Sequence, residues 1–436
     1  MRAPAALPEP LPDPLPIRPR GPLDVRIRPP GSRSLTNRAL VTAALASGDS
    51  VLVGATESDD AAAMREGLRA LGVSIRTEGE HWSVAGCGGR PPARGALALD
   101  VRASGTTARF LTAVAALTAA GVEVTLDGSA RMRERPIGDL VAALCALGAD
   151  AQALGPRGCP PVRVRGGGLA GGRITIDARR SSQYVSGVLL AAPAAAHDVE
   201  VALVEGRLVS RPFVDLTLQV MNDFGADARW TDAGGLVVRS GRPYVGRRYA
   251  IEPDAQAAVY AFAAAAIAGG RVVVEGIPPD SRQPDLRVLD ALAAMGCRVE
   301  RSADTIELAV TAGTLRGVRL DGDPMPDAVL ALSVVALFAE GPTEIRNVAN
   351  LRIKETDRLA ALESEIRRLG GRAEAGPDWI RIEPAPLHGA AIETYADHRM
   401  AMSFALAGLA VAGVAIRDPG CVAKTWPGFF AALETW

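Results

Sequence analysis

The chain has 436 residues, 48% hydrophobic and 22% charged, which is enough for two or more packed domains and lies outside the range of disordered chains. Its 48 Lys and Arg against 49 Asp and Glu leave a net charge of −1. That gives no field to gather nucleic acid or an acidic membrane, so an anionic ligand must be held by local clusters. Five scattered cysteines without a CxxC pair, and only four histidines, argue against a zinc site or a disulfide framework and fit the reducing cytoplasm.

From the N-terminus, residues 1–22 hold eight prolines and no apolar stretch, and read as a flexible extended arm, not a signal peptide. Leu23–Arg28 alternates as a strand. An apolar helix starting near Ser34 then runs into a strand, Ser50–Val53. An amphipathic helix follows and stops at Ala70-Leu71-Gly72, with two more short strands behind it. The same order returns five times, with apolar helices starting near Gly105, Ser182, Asp254, Asp327 and Asp397. The strands that follow them are Gly121–Leu126, Asp198–Val204, Gly270–Glu275, Gly341–Arg346 and Gly413–Arg417. The amphipathic helices of the next four copies end at Gly148, Gly225, Gly296 and Gly370, at spacings of 76, 77, 71 and 74 residues from Gly72 onward. The sixth copy closes on a helix over Gly428–Thr435. The longest apolar runs, Ala257–Ala268 and Ala401–Ile416, fall short of the roughly 18 residues of a membrane-spanning helix.

A repeat of about 75 residues in which helices alternate with strands predicts an α/β fold of six units, three per lobe. The sixth unit lacks its final strands, and Leu23–Arg28 is expected to supply one. This divides the chain into an arm (1–22), a first lobe (32–245) and a second lobe (23–31 plus 253–436), with seams near Pro29–Ser32 and Gly241–Pro253.

The first three apolar helices open on uncharged Ser, Thr or Gly, and such helix N-termini attract anions. The last three open on Asp254, Asp327 and Asp397, where a carboxylate is ordinarily an N-cap. Basic residues recur at these junctions: Arg33, Arg38, Arg109, the loop Arg131–Pro136, then Arg352, Lys354, Arg358, His398, Arg399 and Lys424. In a near-neutral chain this set points to a ligand with several negative charges. The run Lys354-Glu355-Thr356-Asp357-Arg358 is the densest, and at helical spacing Lys354 and Arg358 share a face with Glu355 beside them. A carboxylate among cations can carry a proton, although a surface salt-bridge ladder has the same pattern.

Taken together, several blocks resemble the EPSP synthase (3-phosphoshikimate 1-carboxyvinyltransferase) family. They are PGSRSLTNRAL (Pro30–Leu40), SGTTARFL (Ser104–Leu111), RMRERPIGDL (Arg131–Leu140), SSQYVSGVLLAAP (Ser181–Pro193), LVSRPFVDLTL (Leu208–Leu218), MPD (Met325–Asp327), NVANLRIKETDRLAAL (Asn347–Leu362), DHRMAM (Asp397–Met402) and DPGCVAKTWPGFF (Asp418–Phe430). The resemblance implies two lobes of three βαβαββ units with a cleft between them. It implies transfer of the enolpyruvyl group of phosphoenolpyruvate to the 5-hydroxyl of shikimate 3-phosphate, with release of phosphate, in chorismate and aromatic amino acid biosynthesis. It assigns shikimate 3-phosphate to Arg33, Ser34, Arg38, Ser181, Ser182, Gln183, Ser210, Asp327, Asn350 and Lys354. Phosphoenolpyruvate falls to Arg33, Gly105, Arg131, Gln183, Arg358, Arg399 and Lys424. Asp327 is similar to the residue that takes the 5-hydroxyl proton, Glu355 to the one that moves protons at the methylene carbon, and Lys354 completes the catalytic set. No metal or other cofactor, nucleic acid or membrane is implied, and a cytoplasmic monomer is expected.

Three positions depart from the family pattern. Arg33 stands where the family has Lys, which keeps the charge but cannot yield a proton. Ala103 stands where the family usually has Asn, and so lacks an amide that would brace the phosphoenolpyruvate loop. The turn Glu252-Pro253-Asp254-Ala255-Gln256 replaces a GDxSS-like turn. The competing readings are a paralogous enolpyruvyl transferase with another alcohol acceptor and a non-catalytic descendant that binds phosphoshikimate. Enolpyruvyl transfer to a UDP-amino sugar is disfavoured, because its reactive-cysteine loop is not evident.

Overall fold

The computed structural model describes residues 10–311 and 313–436. The chain divides into two compact units, Gly31–Ile251 and the segment up to Pro30 together with Glu252–Trp436, each with its own apolar core.

Among the described residues, six small sheets carry the fold. Each is built around a parallel pair, which in four of them is joined by one of the apolar helices, and antiparallel strands complete it. In the second copy, for example, Ala96–Asp100 lies parallel to Glu123–Asp127 across the helix Gly105–Ala116. Val162–Arg165 and Asp150–Ala153 then add antiparallel strands, after the amphipathic helix Gly138–Ala146. The apolar helices are the centre of each unit, and every residue of Ala255–Ala268 is buried. Alanine suits them because a helix of small side chains can be covered on all faces without leaving cavities. The five glycines that set the repeat, Gly72, Gly148, Gly225, Gly296 and Gly370, have φ between +92° and +112°. That left-handed conformation lets the chain turn from helix to strand, and a Cβ would strain it.

Two strands sit away from their neighbours in sequence. Leu23–Ile27 pairs in parallel with Gly270–Glu275, so it completes the fourth sheet and not the sixth. Arg248–Ala250 pairs in parallel with Ser50–Val53 and completes the first. The sixth sheet takes Leu15–Pro16 instead, antiparallel to Ala415–Ile416.

Residues 1–9 of the expected arm lie outside the described residues, but its remainder is docked, not free. The amide of Ile17 donates to the Val414 carbonyl (2.9 Å) and that of Arg20 to the Leu409 carbonyl (2.8 Å). The Arg20 guanidinium pairs with Glu434 at 2.7 Å. The cause is the pair of apolar residues set among the prolines, Leu15 and Ile17, both buried. Proline is tolerated because this strand lies at an edge, where a missing N–H costs no ladder bond. Ile17 packs on bare backbone at Gly408, where an added Cβ would stand 2.5 Å from the Ile17 Cβ. Ile17→Ala is therefore expected to cost about 2 kcal/mol of stability, at the low end for a buried Ile, and to lower the urea midpoint.

Candidate active site

In the Gly31–Ile251 unit, three helices begin without an acidic residue in the first turn: Arg33–Leu45, Gly105–Ala116 and Ser182–Ala191. Ser32, Ser104 and Ser181 cap them, accepting from the amides of Leu35, Thr107 and Gln183. The positive ends of the helix dipoles are therefore not neutralised by a carboxylate in their own first turn.

Arg38 is buried one turn into the first helix. It donates to Thr217 Oγ1 (2.8 Å) and to the carbonyls of Ser34 (2.9 Å) and Phe213 (3.0 Å), with the Phe110 ring 5.5 Å away. Its bonding partners are all neutral, and burial, with the charge of Arg33 nearby, pushes its pKa down to about 9. A guanidinium in that position stays charged at neutral pH and favours an anion close by. Arg33 pairs with the buried Asp60 at 2.7 Å.

Gln183 ties two helix starts together, its Nε2 donating to Thr106 Oγ1 at 3.2 Å. Ser182 is buried beside it. Ser210 is also buried and holds a left-handed backbone (φ +52°) in the turn before the helix Pro212–Asp223. A Cβ at Gly105 would stand 2.6 Å from Arg135 Nη2, so a side chain there would displace that guanidinium. Arg131 turns to Glu134, 2.7 Å away on a half-exposed face.

The loop at Ala103 is braced without the amide that the sequence lacks. Arg135 Nη1 reaches the Ala103 carbonyl at 3.5 Å, the Arg102 amide donates to Asp100 (2.8 Å), and Arg102 pairs with Glu66 (2.7 Å). Arg135 and Asp60 were absent from the sequence-derived site. Asp60 looks like an ordinary first-turn acid, and nothing in the sequence ties Arg135 to Gly105. Arg109 is buried under the same loop and donates to the Pro136 carbonyl at 2.6 Å, and burial together with Arg135 pushes it down to about 10.

In the other unit, one guanidinium organises the site. Arg358 is 1% exposed and binds three carboxylates: Asp397 at 2.7 Å, Glu355 at 2.8 Å and Asp327 at 3.1 Å. Burial works against its charge, yet the three acids hold it above the ordinary arginine value. Arg399 Nη2 lies 3.1 Å from Asp327, and Lys424 Nζ lies 3.3 Å from Glu355. Burial opposes the charge of Arg399 as well, and Asp327 and Tyr260 more than offset it. Asp397 is fully enclosed, while Asp327 and Glu355 each keep 12% exposure. Asp397 is thus a buried anchor, and Asp327 and Glu355 are the two carboxylates of the cluster that a small molecule could reach.

Two local expectations change here. Asp254 and Asp397 cap their helices, accepting from the amides of Gln256 and Arg399, but Asp327 does not. Its helix starts later, at Val329, with no side-chain cap, which releases the Asp327 carboxylate to the cluster. The Lys354–Arg358 run is not a helix face. The helix begins at Arg358 with Asp357 as its cap, and Lys354 is extended (φ −84°, ψ −151°) after a short turn, Ala349–Ile353, that buries Asn350. The Asp357 side chain accepts from the Ala360 amide, and this local bond competes with extending the helix backward. His398 adds no positive charge, because burial and the nearby Arg399 and Lys424 hold it well below the ordinary histidine value.

Among the described residues no group of His, Cys, Asp and Glu could hold a metal ion, and no helix is long and apolar enough to cross a membrane.

Comparison with known proteins identifies the family to which these α/β repeats and charged helix starts belong. Residues 17–433 match the family EPSP synthase (3-phosphoshikimate 1-carboxyvinyltransferase). The chain is 46% identical to a 3-phosphoshikimate 1-carboxyvinyltransferase of Methanoculleus marisnigri over 95% of its length and 97% of the relative's. It is 44% identical to the protein of the same name in a Nostoc species, over 94% and 96%. A solved EPSP synthase from Acinetobacter baumannii superposes with a TM-score of 0.79 at 28% identity, covering 96% of this chain and 97% of that one. The chain belongs to the EPSP synthase family.

Proposed function

We infer that the protein transfers the enolpyruvyl group of phosphoenolpyruvate to the 5-hydroxyl of shikimate 3-phosphate, yielding 5-enolpyruvylshikimate 3-phosphate and phosphate in the shikimate pathway. The observation that carries the mechanism is the Arg358 cluster, in which two reachable carboxylates are held apart by one buried cation.

In this reading, Asp327 accepts the 5-hydroxyl proton as that oxygen bonds to the enol carbon of phosphoenolpyruvate, and a proton is delivered to the methylene carbon at Glu355. The tetrahedral adduct collapses when the same methyl group returns a proton and phosphate leaves. Lys354, next to Glu355 in the sequence, is proposed as a cationic proton carrier, and Arg358, Arg399 and Lys424 offset the charge of the phosphoenolpyruvate. Asn350 is proposed as a further contact to shikimate 3-phosphate from this unit.

In the Gly31–Ile251 unit, Ser34, Arg38, Ser181, Ser182 and Ser210 are proposed for shikimate 3-phosphate, and Gly105 and Arg131 for phosphoenolpyruvate. Arg33 and Gln183 are proposed for both. Arg38, whose bonding partners are all neutral, and the helix starts without an acidic first turn support an anion there. The protein is proposed to act as a cytoplasmic monomer.

The test is phosphate release by purified protein with phosphoenolpyruvate, with and without shikimate 3-phosphate. Release only with both substrates, and an adduct of the expected mass, supports the reaction. Calorimetric binding of shikimate 3-phosphate without release would favour the non-catalytic reading, and neither would favour another acceptor. Arg33→Lys is expected to keep or raise kcat, since the shorter cation restores the family pattern and can still pair with Asp60. A loss of tenfold or more would mean that the site depends on the guanidinium.

A further inference from the structure

The helix Ala255–Ala268 is apolar except for two buried polar groups, Gln256 in its first turn and the Tyr260 hydroxyl, which accepts from Arg399 Nη1 at 3.3 Å. Burying an amide is unfavourable unless both ends are satisfied. Here Nε2 donates to Asp327 Oδ2 at 3.0 Å and Oε1 accepts from Arg399 Nη2 at 2.6 Å. The two groups it joins also touch each other, at 3.1 Å. Gln256 therefore closes a triangle whose other corners are the proposed proton acceptor and a proposed phosphoenolpyruvate cation. It belongs to the one turn that departs from the family's GDxSS-like pattern.

We propose that Gln256 is a positioning residue for the reaction, fixing the carboxylate of Asp327 with one end of its amide and the guanidinium of Arg399 with the other. This rests on the role given to Asp327 above. An amide suits the place because a donor and an acceptor are needed on opposite sides of a single planar group. A carboxylate would meet Asp327 with like charge, and a methyl group would leave both partners to settle on each other. Asp285, buried nearby with Oδ1 lacking a partner, shows how crowded with acid this corner is. Burial, then the charge of Asp327, pushes Asp285 up to about 7. Arg358 from the helix Arg358–Arg368 also holds Asp327, at 3.1 Å.

The experiment is steady-state kinetics of Gln256→Ala, Gln256→Glu, Asp327→Ala and the double variant Gln256→Ala/Asp327→Ala, each checked for a wild-type circular dichroism spectrum. Gln256→Ala is expected to lower kcat about 10- to 100-fold, since a small misplacement of a reacting group has that effect. It should raise the KM for phosphoenolpyruvate severalfold and leave that for shikimate 3-phosphate unchanged. Gln256→Glu keeps the acceptor for Arg399 but loses the donor to Asp327, so the KM for phosphoenolpyruvate should return towards wild type while kcat stays low. In the Asp327→Ala background, Gln256→Ala should cost no further kcat, which a merely structural role would not produce. A folded Gln256→Ala protein with wild-type kcat, or additive losses in the double variant, would overturn the proposal. Near-wild-type turnover by Asp327→Ala would instead overturn the role of Asp327 itself, whatever Gln256 does.

Discussion

Asp327→Ala is expected to lower kcat by about 10²–10⁴-fold, the usual contribution of a positioned general base, and Glu355→Ala by a similar factor. Both carboxylates bind Arg358 and each also faces a second cation, Arg399 or Lys424, so each is held in one orientation. Asp397 keeps Arg358 anchored when either is removed, through its bonds to Nε and Nη2 at 2.7 and 3.2 Å. The variants should therefore fold, and calorimetry should find shikimate 3-phosphate bound within a few fold of wild type. If either variant turned over at close to the native rate, the assignment of proton transfer to that residue would be wrong.

Arg358→Met should have the largest effect on stability. It leaves Asp397 without the cation that offsets its complete burial, and deprives Asp327 and Glu355 of their shared partner. Breaking a buried ion pair by removing one partner costs about 3–5 kcal/mol, a large part of the stability of an ordinary domain. Urea unfolding of both proteins at pH 7.5 measures this, and a midpoint close to wild type would mean that the buried cluster adds nothing net to stability.

The repeat was legible because it rests on local chemistry. The five helix-ending glycines need a positive φ, and that requirement is visible wherever an amphipathic helix stops. The charged junctions were legible as a set, and the cluster of Asp327, Glu355, Arg358, Arg399 and Lys424 gathers residues that the motifs already marked. What escaped depended on distance along the chain. A two-residue strand such as Leu15–Pro16 has no periodicity to read, and its partner lies at Ala415–Ile416. Leu23–Ile27 was recognised as a strand but assigned to the wrong sheet, because alternation gives a face and not a neighbour. Asp60 and Gln256 are ordinary first-turn residues until Arg33, Asp327 and Arg399 are brought to them.

The displaced N-terminal strands set a timetable for synthesis. Leu23–Ile27 leaves the ribosome well before its partner strand, which follows about 250 residues later, and the partner of Leu15–Pro16 follows about 400 residues later. At roughly 5–20 residues per second that is a wait of tens of seconds, while Gly31–Ile251 has all of its own strands as soon as it emerges. A waiting strand with open edges is a hazard for pairing with other nascent chains. In this chain the segment is short, carries Asp24 and Arg26 between its apolar residues, and is flanked by Pro22, Pro29 and Pro30. Alternating charge and bordering proline are features that blunt such an edge. The same composition that makes the N-terminus look like an idle tail thus keeps a late-pairing strand soluble until its place in the second unit exists.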